Sequence, residues 1–220
     1  MIITPKVIFL VMIAILTADI VSSTKTRDND LWSSCIEEVM NLPFFEDIRW
    51  DIFRGDSFQI ELTDPSKSLY LAVLLRVFIN AKKELYDLKI DVRISIGIGK
   101  EGFEGDNVMS SDGQAYKLSG RNFDKFHQSQ RRLSIATTWD YDLIGFQESV
   151  QLIEHLISNW SFSSFTVAKH YLLGVTKQKE LAELVGVSQP AIHKRIQKDN
   201  LEGLVNYLNW FSQKIILLIN

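Results

Sequence analysis

Two aspartates and one short basic segment carry most of the chemistry this sequence could perform. Asp19 stands near the end of the apolar run 13–20, and Asp56 follows Gly55 in Arg54-Gly55-Asp56-Ser57. Brought together, two carboxylates supply the hard oxygen ligands that Mg²⁺ takes at roughly 2.1 Å and commonly shares with nucleotide phosphates. A pair of such ions about 4 Å apart could clamp the attacking and leaving oxygens of a phosphoryl transfer. Taken singly, Gly55-Asp56 makes a tight turn and Asp19 ends a strand, so the pairing rests on the fold. The second group is Gln189, His193, Lys194, Arg195, Gln197 and Lys198. On a helix, Gln189, His193, Lys194 and Gln197 could meet base edges, with Arg195 and Lys198 near phosphates of double-stranded DNA.

The elements that must position the aspartates follow from hydrophobic period and punctuation. Residues 13–20 are apolar enough for a central strand. A helix over 30–42, capped by Asp28 or Asn29, ends at Pro43. Residues 49–54 and 57–62 flank Gly55-Asp56 as a hairpin, with Phe58, Ile60 and Leu62 alternating with polar residues. Asp64-Pro65 opens a long helix to about residue 86, and 91–99 reads as a strand of β-branched residues alternating with polar or small ones. That order folds into a four-stranded antiparallel sheet with two helices on one face, a ferredoxin-like or palm-like α+β arrangement. The first strand then lies beside the third, running the opposite way, so Asp19 and Asp56 converge on one rim.

Lys6 ahead of the apolar run 7–16 also has the form of a secretory signal. Cleavage after Ala18 would remove the best central strand, so the strand reading is preferred, and with it a cytoplasmic chain with no membrane insertion.

The remainder is helical: 143–158, 163–173, then a helix-turn-helix pattern over 176–198. Thr176 can cap its first helix, and small Ala182 allows close packing. Gly186 takes the turn, Val187 plugs the core, and Ser188 caps the second helix with Pro190 in its first turn. Leu181, Val185, Val187, Ile192 and Ile196 form the shared apolar seam. The last helix, 201–219, closes the core or forms a homodimer interface. The division is thus 12–138 for the sheet half and 143–220 for an all-α helix-turn-helix half.

Composition bounds these readings. In 220 residues, 46% hydrophobic and 23% charged, a core can form, which excludes a disordered chain, a fibre and a multispan membrane protein. The net charge of −3 means that any nucleic-acid contact is a local patch. Cys35, the single cysteine, cannot close an intrachain disulfide and reads as a small hydrophobe. His127, His155, His170 and His193 lack metal-ligand spacing, Trp32 and Trp50 read as core, and Gly97-Ile98-Gly99 gives no dinucleotide fingerprint.

Three blocks resemble class III nucleotidyl cyclase domains: Thr17-Ala18-Asp19-Ile20-Val21, Arg54-Gly55-Asp56-Ser57-Phe58, and Val92-Arg93-Ile94-Ser95-Ile96-Gly97-Ile98. A fourth, Ser110 to Arg121, lines up with the segment ending in the cyclase asparagine and arginine. The resemblance implies Asp19 and Asp56 as Mg²⁺ ligands, a backbone carbonyl from Ile20, and amides of Val21, Ser22, Ser23 and Thr24 facing a triphosphate. It implies Arg121 as the charge-stabilising arginine, with Lys117 where cyclases carry asparagine. The base-reading positions hold Ile52 and Ser110, which departs from the pattern. From Met12 onward the whole chain resembles the SatD family, which implies a regulator. The expectation is a DNA-binding transcriptional regulator, homodimeric, whose sheet half senses a Mg²⁺-nucleotide. The alternative is a nucleotidyl cyclase, and a third reading is a scaffold with a degenerate site.

Overall fold

A computed structural model describes residues 11–21, 30–45, 47–53, 55–82, 90–127 and 129–220. Strand β1 (Met12–Val21) is central: residues 13–20 are all buried, because the strand has a neighbour on each edge and a layer on each face. Helix α1 (Asp30–Met40) follows, then the hairpin of β2 (Ile48–Phe53) and β3 (Ser57–Leu62). Gly55 turns that hairpin at φ +78°, a conformation that favours glycine. A 3₁₀ turn (Pro65–Lys67) leads into α2 (Ser68–Ala81); Asp64 caps the turn by accepting the Ser66 amide at 3.1 Å. Strand β4 (Asp91–Phe103) then lies antiparallel on the other edge of β1. The sheet order β2-β3-β1-β4 is the ferredoxin-like order expected from the sequence.

The chain then adds what the pattern did not show. Strand β5 (Asp112–Gly113) pairs with the end of β4, and β6 (Leu133–Thr137) lies parallel to β4 along its outer edge. Parallel neighbours need a crossover, and α3 (Gln114–His127) supplies it. Among the described residues the sheet therefore has six strands rather than four. Ala14, Leu16, Ala18 and Ile20 of β1 share an apolar cluster with α1 and α2, whereas Ile13 and Ile15 pack with Ala115 and Tyr116 of α3.

Contact between α3 and the sheet is close because β4 carries glycine beneath it. A Cβ on Gly97 would stand 2.3 Å from the Ala115 carbonyl oxygen and 2.4 Å from the Ser119 amide. Hydroxyls complete the seam. Ser119 Oγ donates to Thr17 Oγ1 at 2.8 Å, Ser95 Oγ donates to the Ser119 carbonyl at 2.8 Å, and Asn122 donates to Ser134 Oγ at 2.6 Å. Nearer β2, Arg49 donates to Glu61 at 3.1 Å and to the Gly105 carbonyl at 2.8 Å, while the Tyr116 hydroxyl donates to Glu61.

The helical half consists of α4 (Asp140–Ser158), α5 (Phe162–Leu172), α6 (Gln178–Val185), α7 (Gln189–Lys198) and α8 (Leu201–Ile219). It shares its apolar cluster with the sheet half: Phe58 and Val73 belong to the same core as Val167, Ile192 and Phe211. Lys169 of α5 reaches Glu38 of α1 at 2.7 Å, and Tyr70 of α2 donates to the Leu172 carbonyl. No helix among the described residues is long and apolar enough to cross a membrane.

Some boundaries moved. The expected helix from Asp64 to about residue 86 begins as a 3₁₀ turn and is described as α-helix only to Ala81, with residues 83–89 outside the described set. Trp32 and Cys35 are core as expected, whereas Trp50 is half-buried on the edge hairpin. Residues 12–21 form the central strand; 1–10 lie outside the described residues.

Gly97→Ala should lower the unfolding free energy by about 1–3 kcal/mol, since backbone, not a movable side chain, occupies the space. Gly120→Ala, with nothing within 4 Å of its added carbon, should raise it by about 0.5–1 kcal/mol. Urea midpoints test both. Burial, with the Glu61 carboxylate second, holds the Tyr116 phenol far above its ordinary value. The folded state therefore keeps a proton that the unfolded chain releases, so this contribution is intact below the ordinary phenol range and fades as pH rises above about 10. Tyr116→Phe should be less stable at neutral pH yet show a shallower alkaline decline, read from urea midpoints across pH 8–11.

Candidate functional site

Three features could serve function. The first is the aspartate corner. Asp19 pairs with Ser57 across β1 and β3, and the Ile20 amide donates to the Asp56 carbonyl at 3.0 Å. Asp19 on β1 and Asp56 in the turn just before β3 thus stand at one corner of the sheet, as the topology implied. The Asp19 carboxylate, however, is engaged by Arg93 of β4, which donates from Nε to Oδ1 at 2.8 Å and from Nη2 to Oδ2 at 2.5 Å. Asp56 accepts from the Ser57 hydroxyl at 3.4 Å. Arg93 sits directly opposite Asp19 in the β1–β4 register, so the fork is built into the strand pairing.

This arrangement does not fit Mg²⁺. A bidentate guanidinium already supplies the counter-charge and bonds each Asp19 oxygen, so an ion there would meet a compensated carboxylate with a cation beside it. Among the described residues, no group of three or more His, Cys, Asp or Glu could hold a metal. Of the residues expected to face a triphosphate, Ile20 is buried and Val21 is half-buried opposite Asp91; Ser22, Ser23 and Thr24 lie outside the described residues, as does Arg54.

The second feature is a groove along the flank of α3 that faces β6 and α4. Lys117 and Arg121, expected beside the aspartates, line it, together with Lys100 of β4 and Lys125 of α3. Neither Asp19 nor Asp56 belongs to its walls. Lys117 pairs with Asp112 at 3.0 Å, and this bond, helped by the Gly113 amide, holds the Asp112 carboxyl below its usual range. Lys100 and Lys125 were not singled out by sequence. The row Lys117, Arg121, Lys125 is spaced at four residues, which becomes a signal only once 114–127 is known to be helical.

The third feature is the α6–α7 pair. Ile192 and Ile196 are buried, and Gly186 ends α6 in the left-handed conformation at φ +71°. Gln189, His193, Lys194, Gln197 and Lys198 are all exposed on α7. Gln178 at the start of α6 lies 3.2 Å from His193 Nδ1, which ties the two helices on their outer side. Arg195 differs from the expectation: it is half-buried, and its Nη1 is shielded from solvent without a hydrogen-bond partner. Two caps also differ. Lys177, not Thr176, precedes α6, and Ser188 stands at the cap of α7 without a side-chain bond.

The histidines do not gather at any of these features. His155 and His193 are exposed, and burial followed by the Lys169 charge holds His170 below its ordinary value. Cys35 is buried, and burial pushes its thiol up, away from thiolate chemistry.

Removing one partner of the Asp19–Arg93 fork leaves a nearly buried charge, so Asp19→Ala should cost about 3 kcal/mol. Asp19→Ala combined with Arg93→Leu should cost less than the sum of the single changes, and a double-mutant cycle in urea measures the coupling. Millimolar Mg²⁺ should leave the parent melting curve unmoved.

No family model matches this chain, and no curated protein matches it. Among solved structures, a bacterial light-regulated adenylyl cyclase is similar with a TM-score of 0.39 and 15% identity, over 57% of this chain and 43% of that one. The active GGEEF domain of a diguanylate cyclase from Vibrio cholerae is similar with a TM-score of 0.38 and 11% identity, over 59% of this chain and 84% of that one. The chain thus spans less than half the length of the light-regulated cyclase, and likenesses of this size carry no functional weight.

Proposed function

We propose that the chain is a DNA-binding regulator whose α7 enters the major groove, with the sheet half acting as a ligand-sensing body. The observation that carries this reading is the α6–α7 geometry. The apolar seam is buried, the turn glycine is left-handed, and the outer row of α7 presents five exposed polar or basic side chains and no acid. Lys194 and Lys198 meet phosphates, while Gln189, His193 and Gln197 read base edges; Arg195, being half-buried, contributes to positioning α7.

One copy of so short a basic row binds weakly, and a homodimer supplies the second half-site. The exposed Trp210, Ile216 and Leu217 of α8 support a self-association face. Sensing requires that a ligand favour one arrangement of the molecule over another. The shared core supports that coupling, since α5 packs on α2.

The cyclase alternative is less well supported. Its first carboxylate is paired with Arg93, and its arginine lines a different groove. No step is therefore routed through a metal, and a bound nucleotide is read as a signal rather than a substrate.

Lys194→Ala with Lys198→Ala should weaken binding to random double-stranded DNA and reduce the slope of log K against log salt by about 2. Fluorescence anisotropy across a salt series measures both. Unchanged affinity and slope would remove α7 from the interface.

A further inference from the structure

The groove beside α3 is rich in basic side chains. The chain carries a net charge of −3, yet this groove is lined by Lys100, Lys117, Arg121 and Lys125 with Glu101, and Asp112 stands at its edge against Lys117. Lys117 pairs with Asp112. Among the described residues, the side chains of Lys100, Arg121 and Lys125 make no hydrogen bond or ion pair. Unpaired like charges on adjacent turns repel one another, and that cost is recovered when an anion sits among them.

The spacing specifies the anion. Lys117, Arg121 and Lys125 stand on successive turns of α3, so their Cα atoms span about 12 Å. That row matches an extended chain of phosphates better than a single one. Lys100 closes the near end, where its own amide donates to Gln114 Oε1 at 3.2 Å and locks the β4 wall to the first turn of α3. The start of α3 at Gln114 opens into the same groove and adds the positive end of the helix dipole.

The cavity is about 780 Å³, within the roughly 300–1,000 Å³ of ligand pockets and larger than a phosphate chain requires. Leu118 and Ala136 give it an apolar floor, and Asn122, Thr137 and Gln147, whose side chains bond Ser134, Trp139 and the Ile135 carbonyl, add fixed uncharged polar groups to its walls. Such walls suit a flat heterocycle attached to the phosphates.

We propose that the groove between α3, β6 and α4 binds an oligophosphate of the nucleoside di- or triphosphate class directly on Lys100, Lys117, Arg121 and Lys125, without a metal ion. This deepens the sensing half of the proposed function and is independent of its DNA-binding half. The groove rides on α3, which the Thr17–Ser95–Ser119 seam fixes to the central strands, so occupancy bears on the sheet rather than on a loose surface loop.

The test is isothermal titration of the full chain in EDTA with ATP, GTP and inorganic tripolyphosphate, at low and moderate salt. Binding is expected for at least one nucleotide, weakening as salt rises. Arg121→Gln and Lys125→Gln, both on exposed positions, should each weaken it about tenfold, the scale of one charge-assisted hydrogen bond. Lys179→Gln on the exposed side of α6 should leave it unchanged. Nucleotides binding more tightly than tripolyphosphate would assign the apolar floor to the heterocycle; equal affinities would assign the site to the phosphate chain alone. Absence of binding to all three probes at low salt would overturn the proposal, as would binding indifferent to Arg121→Gln and Lys125→Gln. Binding that requires Mg²⁺, is lost in Asp19→Asn and survives the groove variants would return the ligand to the aspartate corner. DNA binding plays no part in these readouts, so a failure there leaves the two proposals distinguishable.

Discussion

The closeness with which α3 lies on the central strands sets the geometry of the rest. Gly97 has no side chain because the Ala115 carbonyl and Ser119 amide occupy its place. Through that contact, hydroxyls from β1, β4 and β6 meet α3 at hydrogen-bonding distance in a buried seam. Buried polar groups are costly unless matched, and here they match one another, so the helix has one favourable register on the sheet. That register holds the opposite flank of α3, with Lys117, Arg121 and Lys125, against β6 and α4. It also leaves the aspartate corner to be closed from within the sheet, by Arg93.

Charge placement then separates what binds from what merely holds. At the aspartate corner the cation is internal: Arg93 completes Asp19, and the pair pins the end of β1 to the start of β4. At Glu61 the same logic recurs, with Arg49 and Tyr116 satisfying one buried carboxylate from two directions. In the groove and along α7 the cations look outward instead.

The ferredoxin-like order was legible because it rests on local signals: the Gly55-Asp56 turn, the alternation in 57–62, and the β-branched run at 91–99. The helix pair α6–α7 was legible for a local reason too, since Gly186 takes the left-handed turn and Pro190 sits in the first turn of α7. What stayed hidden depended on distant partners. Residues 114–127 carry few apolar residues, because part of the buried face is the serine and asparagine seam, so their low overall hydropathy does not announce a helix. β6 is short and its pairing with β4 is long-range. Arg93 could be recognised as the partner of Asp19 only with the strand register in hand, and without it the two aspartates read as metal ligands. Arg195 looked like its basic neighbours until its half-buried side became visible.

The central claim is that α7 is the surface that meets DNA. Amide hydrogen–deuterium exchange of the intact protein, with and without a randomised double-stranded DNA library, addresses it most directly. Protection appearing in 189–198 and at the start of α6, with the edge strand β2 unchanged, is the result this account predicts. Protection confined to the sheet half, with α7 exchanging as in the free protein, would contradict it.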